Sequence, residues 1–329
     1  MPTETPPQGY THEALFFGSQ KDLVDAATPF IAAGLDAGDD VVMACTETNN
    51  DALLEAVGRD RVTRLRREEL YQHAPSALAA YRGFVERRLS SGASGVRLVG
   101  EVDFGAEPRS WREWARFEAL CNQAMASFPL WSLCVYDTAA LSEEVLGHGR
   151  RTHPHLRRGD DRTLNPAYLE PHRFLDQLGH GSGDGLEAAD PALALHDVAD
   201  LAVVRKQVKS ELLAAGADPA VVEDFVLAVN EVSTNAMRHG RPPVDVCLWT
   251  ADEVVVCRVT DHGTGAEDPL TIYYSPTGEE LPQERMGLWL VRQLCDDFTF
   301  SRSPAGFTVR LATRLRPSER LGAAANGHR

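Results

Sequence analysis

The sequence predicts two α/β domains in series, the first on a largely parallel sheet and the second on an antiparallel or mixed one. Three observations carry this. Between residues 12 and 137, short apolar runs alternate with helical segments, the βαβ pattern of a parallel sheet. Residues 158–195 lose that periodicity and turn rich in Gly, Pro and Asp. From residue 196 the order becomes helix, hairpin, loop, helix, hairpin, which layers helices on antiparallel strands. A chain of 329 residues leaves each domain long enough for its own core.

The elements follow in order. HEALFFGS (12–19) reads as a strand and QKDLVDAATPFIAAGLDAG as a helix ending in glycine. DVVMACTE (40–47) is an apolar strand and NDALLEAVG a helix. A third strand is expected around Arg61–Leu65, then the helical SALAAYRGFVERRLSSG. GVRLVGEVDF (95–104) is a strand, SWREWARFEALCNQAMASF an amphipathic helix, and PLWSLCVYD (129–137) a buried strand. Along that helix Trp111, Trp114, Phe117, Leu120 and Met125 read as core, while the polar Arg116, Glu118 and Asn122 are open between pairing and a site role. Residues 158–195 read as a linker with one docked turn. HDVADLAVVRKQVKSELLAAG (196–216) begins a new helical unit. Asp218 and Pro219 suit the N-cap and first position of the next helix, whose core stripe is Phe225, Val229, Val232 and Ala236. PVDVCLWTADEVVVCRVTD holds two strands joined near Asp252. RMGLWLVRQLCDDF is a helix and FTFSRSPAGFTVRLAT a hairpin turning at Pro304–Gly306. Residues 316–329 are polar and Gly/Ala-rich and read as a disordered tail.

Composition excludes several classes. A net charge of −15 argues against a broad nucleic-acid or anionic-membrane surface. No apolar run is long enough for a membrane span, and the N-terminus lacks the basic and apolar regions of a signal peptide. The six cysteines are scattered without a Cys-x-x-Cys pair and read as small buried thiols of a reducing, cytoplasmic protein.

The richest stretch for chemistry is EVSTNAMRHG (231–240). Glu231, Asn235 and His239 fall four residues apart, so on a helix they share one face. That row borders the apolar stripe, where a ligand can sit against the sheet. DHGTG (261–265) follows a strand. Its two glycines let the backbone turn beneath a flat ligand while Asp261 accepts from an exocyclic amine. RMGL places Gly287 at the start of a helix, where amides and dipole favour phosphate. The irregular segment 268–284 between them suits a lid.

These motifs resemble the GHKL (histidine-kinase-like) ATPase superfamily, and within it the bacterial anti-sigma-factor serine-kinase type, over residues 198–313. Glu231-x-x-x-Asn235 matches the N box, Asp261-x-Gly263-x-Gly265 the G1 box, and Gly287-Leu288 the end of the G2 box. Gly306-Phe307-Thr308 stands where the family's last strand carries its Gly/Thr pair. The resemblance implies an α/β two-layer sandwich that binds ATP. Asn235 would bind Mg²⁺, Asp261 would receive the adenine amino group, Gly263, Gly265 and Gly287 would admit the nucleotide, and Glu231 would be the general base. Leu288 and Thr308 join this set by position. One departure stands out: Arg285 replaces the family's second G2 glycine. Its side chain either crowds the phosphates or contacts them. Arg238 and His239 stay open between a helix C-terminal charge preference and a site role. No phosphoacceptor domain is visible, since His196 and Glu231 lie too close in sequence to enclose a two-helix hairpin.

In the first half, YTHEALFFGS, AGLDAGDDVVMACTE, WSLCVYDTAAL and RTHPHL resemble the MEDS sensory domain, over about residues 10–157. That family is related to the RecA/KaiC-type P-loop fold. Here the strand ending at FFGSQKDL lacks Gly-Lys-Ser/Thr, so the P-loop is degenerate, and LCVYD is shaped like a Walker-B strand ending at Asp137. A pocket at the strand carboxyl ends is expected, lined by Gly18, Ser19, Glu101, Tyr136, Asp137 and His153. The resemblance implies sensing of a small, hydrocarbon-like ligand. A structural role for Glu101 and Asp137 is the competing reading.

The expected whole is a cytoplasmic regulator with a sensory domain at 10–157, a linker at 158–195 and an ATPase/kinase domain at 196–315. It would sequester a sigma factor and, with ATP, phosphorylate Ser or Thr of a STAS-type anti-anti-sigma antagonist. A non-catalytic, nucleotide-dependent binding switch is the alternative, and a homodimer is left open.

Overall fold

In the computed structural model, which describes residues 9–58, 62–71, 74–106, 108–179, 185–251, 253–265, 283–304 and 306–316, the chain divides into two units, Met1–Leu175 and Asp176–Arg329.

The first unit runs β1 (Thr11–Phe17), α1 (Gln20–Ala37), β2 (Asp40–Ala44), α2 (Glu47–Val57), β3 (Thr63–Arg64), α3 (Arg67–Leu70), α4 (Ala74–Ser90), β4 (Val96–Gly100), α5 (Pro108–Ala124), β5 (Leu130–Asp137), α6 (Glu143–Thr152), β6 (His155–Arg158) and β7 (Asp161–Leu164). Its sheet has the order β3-β2-β4-β5-β1-β6-β7. Every pair is parallel except β6–β7, which closes the edge as an antiparallel hairpin. β1 and β5 lie side by side in a register that pairs Phe17 with Asp137, so both strands end at one place.

Strand alternation sends side chains to two covered faces. Leu15 and Phe17 of β1, with Trp131, Leu133 and Val135 of β5, pack on Leu23, Phe30 and Ile31 of α1. The intervening residues His12, Ser132 and Cys134 turn to the other face, where Tyr81 of α4 bonds Ser132 at 2.6 Å. Two buried charges are paired rather than isolated, as burial requires. Arg97 Nε donates to Asp39 Oδ2 at 2.8 Å, with side chains 0% and 2% exposed, and its guanidinium lies 4.3 Å from the Trp131 ring centre. Arg157 Nε donates to Glu13 Oε2 at 2.7 Å.

After α7 (Pro171–Gly179), the second unit carries a single 3₁₀ turn (Leu186–Ala188), β8 (Leu193–Leu195), α8 (Leu201–Ala214), α9 (Pro219–His239), β9 (Val244–Ala251), β10 (Val254–Asp261), α10 (Gln283–Leu294), β11 (Asp297–Ser303) and β12 (Gly306–Arg314). The sheet order is β11-β12-β10-β9-β8, antiparallel throughout. α9 packs on α8, on α10 and on the central strands. Its start follows the sequence: Asp218 accepts from Ala220 N at 2.9 Å and Pro219 opens the helix.

Among its described residues, the stretch 158–195 expected as a linker carries β7, α7, the 3₁₀ turn and β8. Gly159, at φ 55°, turns β6 into β7. Phe174, Leu175 and Leu178 bury one stripe of α7. Leu186 packs on Trp249, Val256 and Ala312, Trp249 Nε1 donates to Ala189 O at 2.9 Å, and Arg310 Nε donates to Glu187 Oε2 at 2.7 Å. These pieces are too short for a periodicity, and tertiary contacts hold them. The expected turn at Asp252 lies outside the described residues. So does the expected lid 268–284, except for the backbone of Gln283 and Glu284, which begins α10, and so does the tail beyond Arg316.

Candidate functional site

In the second unit the polar row of α9 forms one wall. Glu231 and Asn235 are half-buried on the α10 side, while Arg238 and His239 are exposed in the last turn. Gly287 of α10 sits directly against the row. A Cβ on it would lie 2.7 Å from Glu231 Oε2 and 3.9 Å from Asn235 Nδ2. Asn235 Nδ2 itself is buried without a hydrogen-bond partner. The structure thus brings Glu231, Asn235 and Gly287 together, with Leu288, partly buried, next in α10. It differs from the sequence reading in one respect. α10 begins at Gln283, so Gly287 lies in its second turn and not at its start. Gln283, Glu284, Arg285 and Met286 are good helix formers and extend the helix backward. The side chain of Arg285 lies outside the described residues.

The far end of α9 meets the end of β10. Asp261 is buried, and its Oδ1 accepts from Gly263 N at 2.6 Å and from Arg241 N at 3.1 Å. His262 N donates to Arg241 O at 2.8 Å and closes the loop against the helix end. Gly240, the C-cap of α9, approaches so closely that a Cβ would strike the Asp261 carboxyl group and Ala236 O. Its φ of −81° is ordinary, so proximity, not backbone conformation, demands glycine there. The sequence does not single out Gly240 and Arg241, because the helix end shows only its charges and what packs on it is set by distant residues. Gly265, at φ 70°, lies so close to the Phe307 ring that a Cβ would strike it. Thr308 is buried on β12 opposite Thr260, with the two hydroxyls 2.9 Å apart, one register step from the Asp261–Phe307 pair.

In the first unit, four of the expected pocket residues gather at strand ends. Gly18 and Ser19 follow β1, Glu101 follows β4, and Asp137 ends β5. Three of these side chains already hold local bonds. Ser19 caps α1, accepting from Asp22 N at 3.3 Å. Glu101 Oε2 accepts from Thr46 N at 2.9 Å and Asn49 Nδ2 at 2.9 Å, fixing the start of α2. Asp137 Oδ1 accepts from Ala139 N at 2.8 Å. Tyr136 and His153 are not at that rim. Both are buried on the opposite face of the sheet, their rings 5.6 Å apart edge to face. A cleft of about 720 Å³ borders Phe16, Asp22, Asp25, Arg150, Arg158 and Asn165, and none of the six expected residues lines it.

His153 instead joins His12, Glu118 and Cys134, all buried. Burial lowers both imidazoles to about 3, so they are neutral, and it raises the Glu118 carboxyl and the Cys134 thiol above their ordinary values. The remaining cysteines are free, and Cys45, Cys121, Cys257 and Cys295 are buried thiols pushed up by desolvation. No helix among the described residues is long and apolar enough to cross a membrane.

Comparison with known proteins gives two family matches. Residues 11–154 match MEDS, the methanogen/methylotroph DcmR sensory domain. Residues 195–313 match the histidine kinase-like ATPase domain. No curated protein matches the chain. Among solved structures the chain is similar to the RsbU and RsbW domains of Rv1364c from Mycobacterium tuberculosis, at 24% identity over 38% of this chain, with a TM-score of 0.28. The match spans 33% of that chain, about a third of its length. The protein is therefore a MEDS domain, residues 11–154, followed by a histidine kinase-like ATPase domain, residues 195–313.

Proposed function

We propose that the C-terminal unit binds ATP with Mg²⁺ and acts as an anti-sigma regulator, sequestering a sigma factor and phosphorylating Ser or Thr of a STAS-type antagonist. One observation carries the reading: Gly287 leaves open the space beside Glu231 and Asn235 that any side chain would fill. The residues fit the ligand in two further ways. Asn235 Nδ2 is an orphaned buried polar atom beside that space. Asp261 commits only Oδ1 to backbone amides, so contact with adenine falls to Oδ2.

Asn235 would hold Mg²⁺ through its side-chain oxygen. Bound ATP supplies the transferable phosphoryl group, and Mg²⁺ offsets its charge. Glu231 accepts the proton of the attacking hydroxyl, because a carboxylate on a rigid helix needs only reach and orientation for that task. Asp261, fixed by Gly263 N and Arg241 N, orients the base, with Gly263, Gly265 and Thr308 forming its surround. The N-terminal unit is read as a RecA/KaiC-type sheet without a phosphate loop. The side-by-side ends of β1 and β5 support this. A small, hydrocarbon-like molecule bound there biases the C-terminal unit toward one partner. Glu101 and Asp137 hold the rim in shape, and Gly18 and Ser19 leave it open.

A second reading, partner exchange driven by nucleotide without transfer, draws support from Gly287 lying inside α10 and from Arg285 replacing a glycine. Labelled ATP, Mg²⁺ and candidate antagonists distinguish the two. Transfer by the wild type and none by Glu231→Ala supports the kinase. ATP binding without transfer, and partner regulation in cells unchanged by Glu231→Ala, sinks it in favour of the switch.

A further inference from the structure

Four donor atoms converge in the dry interior of the first unit. His12 comes from β1, Cys134 from β5, Glu118 from α5, and His153 directly follows α6. Their exposures are 2%, 7%, 2% and 0%. His12 Nε2 lies 3.3 Å from Cys134 Sγ and 3.2 Å from Glu118 Oε2. Glu118 Oε2 lies 3.5 Å from His153 Nε2 and 3.8 Å from Cys134 Sγ. All four ligand atoms lie within 4.8 Å of one another.

The surrounding hydrogen bonds decide which atoms carry lone pairs. Asn122 Nδ2 donates to Thr152 O at 2.8 Å, which turns Asn122 Oδ1 toward His12 Nδ1 at 3.1 Å. An amide oxygen only accepts, so His12 Nδ1 carries the hydrogen. His153 Nδ1 lies 2.8 Å from the carbonyl of Gly149, so it too must donate. Both Nε2 atoms are therefore left with lone pairs aimed at a thiol and a carboxyl group. Four acceptor-type groups face one point with only the thiol and carboxyl protons to share. His153 Nε2 and Glu118 Oε1 are buried without a hydrogen-bond partner. A dry interior penalises such a set unless something binds all of it.

We propose that His12, Glu118, Cys134 and His153 form a closed site for a divalent transition-metal ion of the zinc class. Two imidazole nitrogens, one thiolate and one carboxylate make a tetrahedral donor set suited to zinc. Bonds of the usual length put tetrahedral donors roughly 3.3–3.8 Å apart, and four of the six donor pairs here lie 3.2–3.8 Å apart. Each imidazole already donates its other ring N–H to a fixed oxygen, His12 to Asn122 Oδ1 and His153 to Gly149 O. A divalent ion entering with loss of the thiol and carboxyl protons leaves the charge of the buried site unchanged. The ion would tie β1, β5, α5 and the end of α6 together. The site is independent of the nucleotide reading, which concerns the other unit.

The untagged full chain, expressed in zinc-supplemented medium, is expected to carry about one zinc ion per chain by elemental analysis. Expressed with cobalt instead, it is expected to show a thiolate-to-cobalt charge-transfer band and intense tetrahedral d–d bands. Cys134→Ser, folded by circular dichroism, should lose the charge-transfer band and roughly ten-fold or more of its metal content. A folded wild type that emerges metal-free from both media overturns the proposal, as does a cobalt spectrum that Cys134→Ser leaves unchanged. Should Cys134→Ser not fold, the wild-type spectrum decides alone: a charge-transfer band supports the site and its absence refutes it.

Discussion

Gly287 faces Glu231 across the α9–α10 contact, close enough that a Cβ would stand 2.7 Å from the carboxylate oxygen. The clash is with the far end of a flexible side chain, so the fold has room to adapt while the carboxylate does not keep its place. Gly287→Ala is therefore expected to fold with equal or greater stability, since alanine favours a helix interior by about 1 kcal/mol over glycine. Nucleotide affinity, read by titration, should fall roughly ten-fold or more, about 1.4 kcal/mol. Unchanged affinity would remove Gly287 from the site.

Asp261→Asn tests the other end of α9. The substitution retains an oxygen for Gly263 N and Arg241 N but replaces the second oxygen with a donor. ATP-over-GTP preference, measured by competition, should drop about ten-fold, while thermal stability changes little.

The buried pair of Arg97 and Asp39 predicts a large stability effect in the N-terminal unit. Asp39→Ala would remove the carboxylate that Arg97 Nε meets at 2.8 Å, while the guanidinium also donates to Phe30 O at 3.1 Å. Removing one member of a buried ion pair costs about 3–5 kcal/mol, readable in denaturant unfolding.

His148 gives a pH prediction with a definite sign. Burial, then Arg151 and Arg112, lowers its imidazole from 6.5 to about 4. The unfolded chain takes up the proton first as pH falls, so this contribution is complete above pH 6.5 and is lost between 6.5 and about 4. At pH 5.5 the folded state should have lost about 1 kcal/mol relative to pH 7.5 through this group. His148→Gln should lack that part of the loss when unfolding is compared at the two pH values. Identical slopes in wild type and variant would contradict the assignment.

Sequence pattern revealed local structure well and long-range convergence poorly. Asp218-Pro219 announced the start of α9, and the alternating runs announced the parallel sheet, because capping and periodicity are local properties. The helical row also placed Glu231 and Asn235 on one face. Gly240 was not legible as a contact of Asp261, since its need for glycine arises from packing and not from its backbone angles. His12 and Cys134 lie 122 residues apart, and only the β1–β5 pairing puts them on the same face. Glu118 and Asn122 stand out as polar residues along an amphipathic helix and His153 as a candidate pocket residue, but nothing local ties them to one another. The segments between 158 and 195 are held by contacts with other strands and helices, so their own sequence carries little of their structure.

In the proposed function, α9, the end of β10 and α10 enclose a nucleotide held through Mg²⁺ by Asn235. Calorimetric titration of the full chain with ATP, with and without Mg²⁺, compares wild type with Asn235→Ala. Saturable, Mg²⁺-enhanced binding is expected for the wild type, with the Mg²⁺ enhancement lost in Asn235→Ala. A well-folded wild type that binds no ATP in the presence of Mg²⁺, or an Asn235→Ala variant that keeps the full Mg²⁺ enhancement, would contradict it.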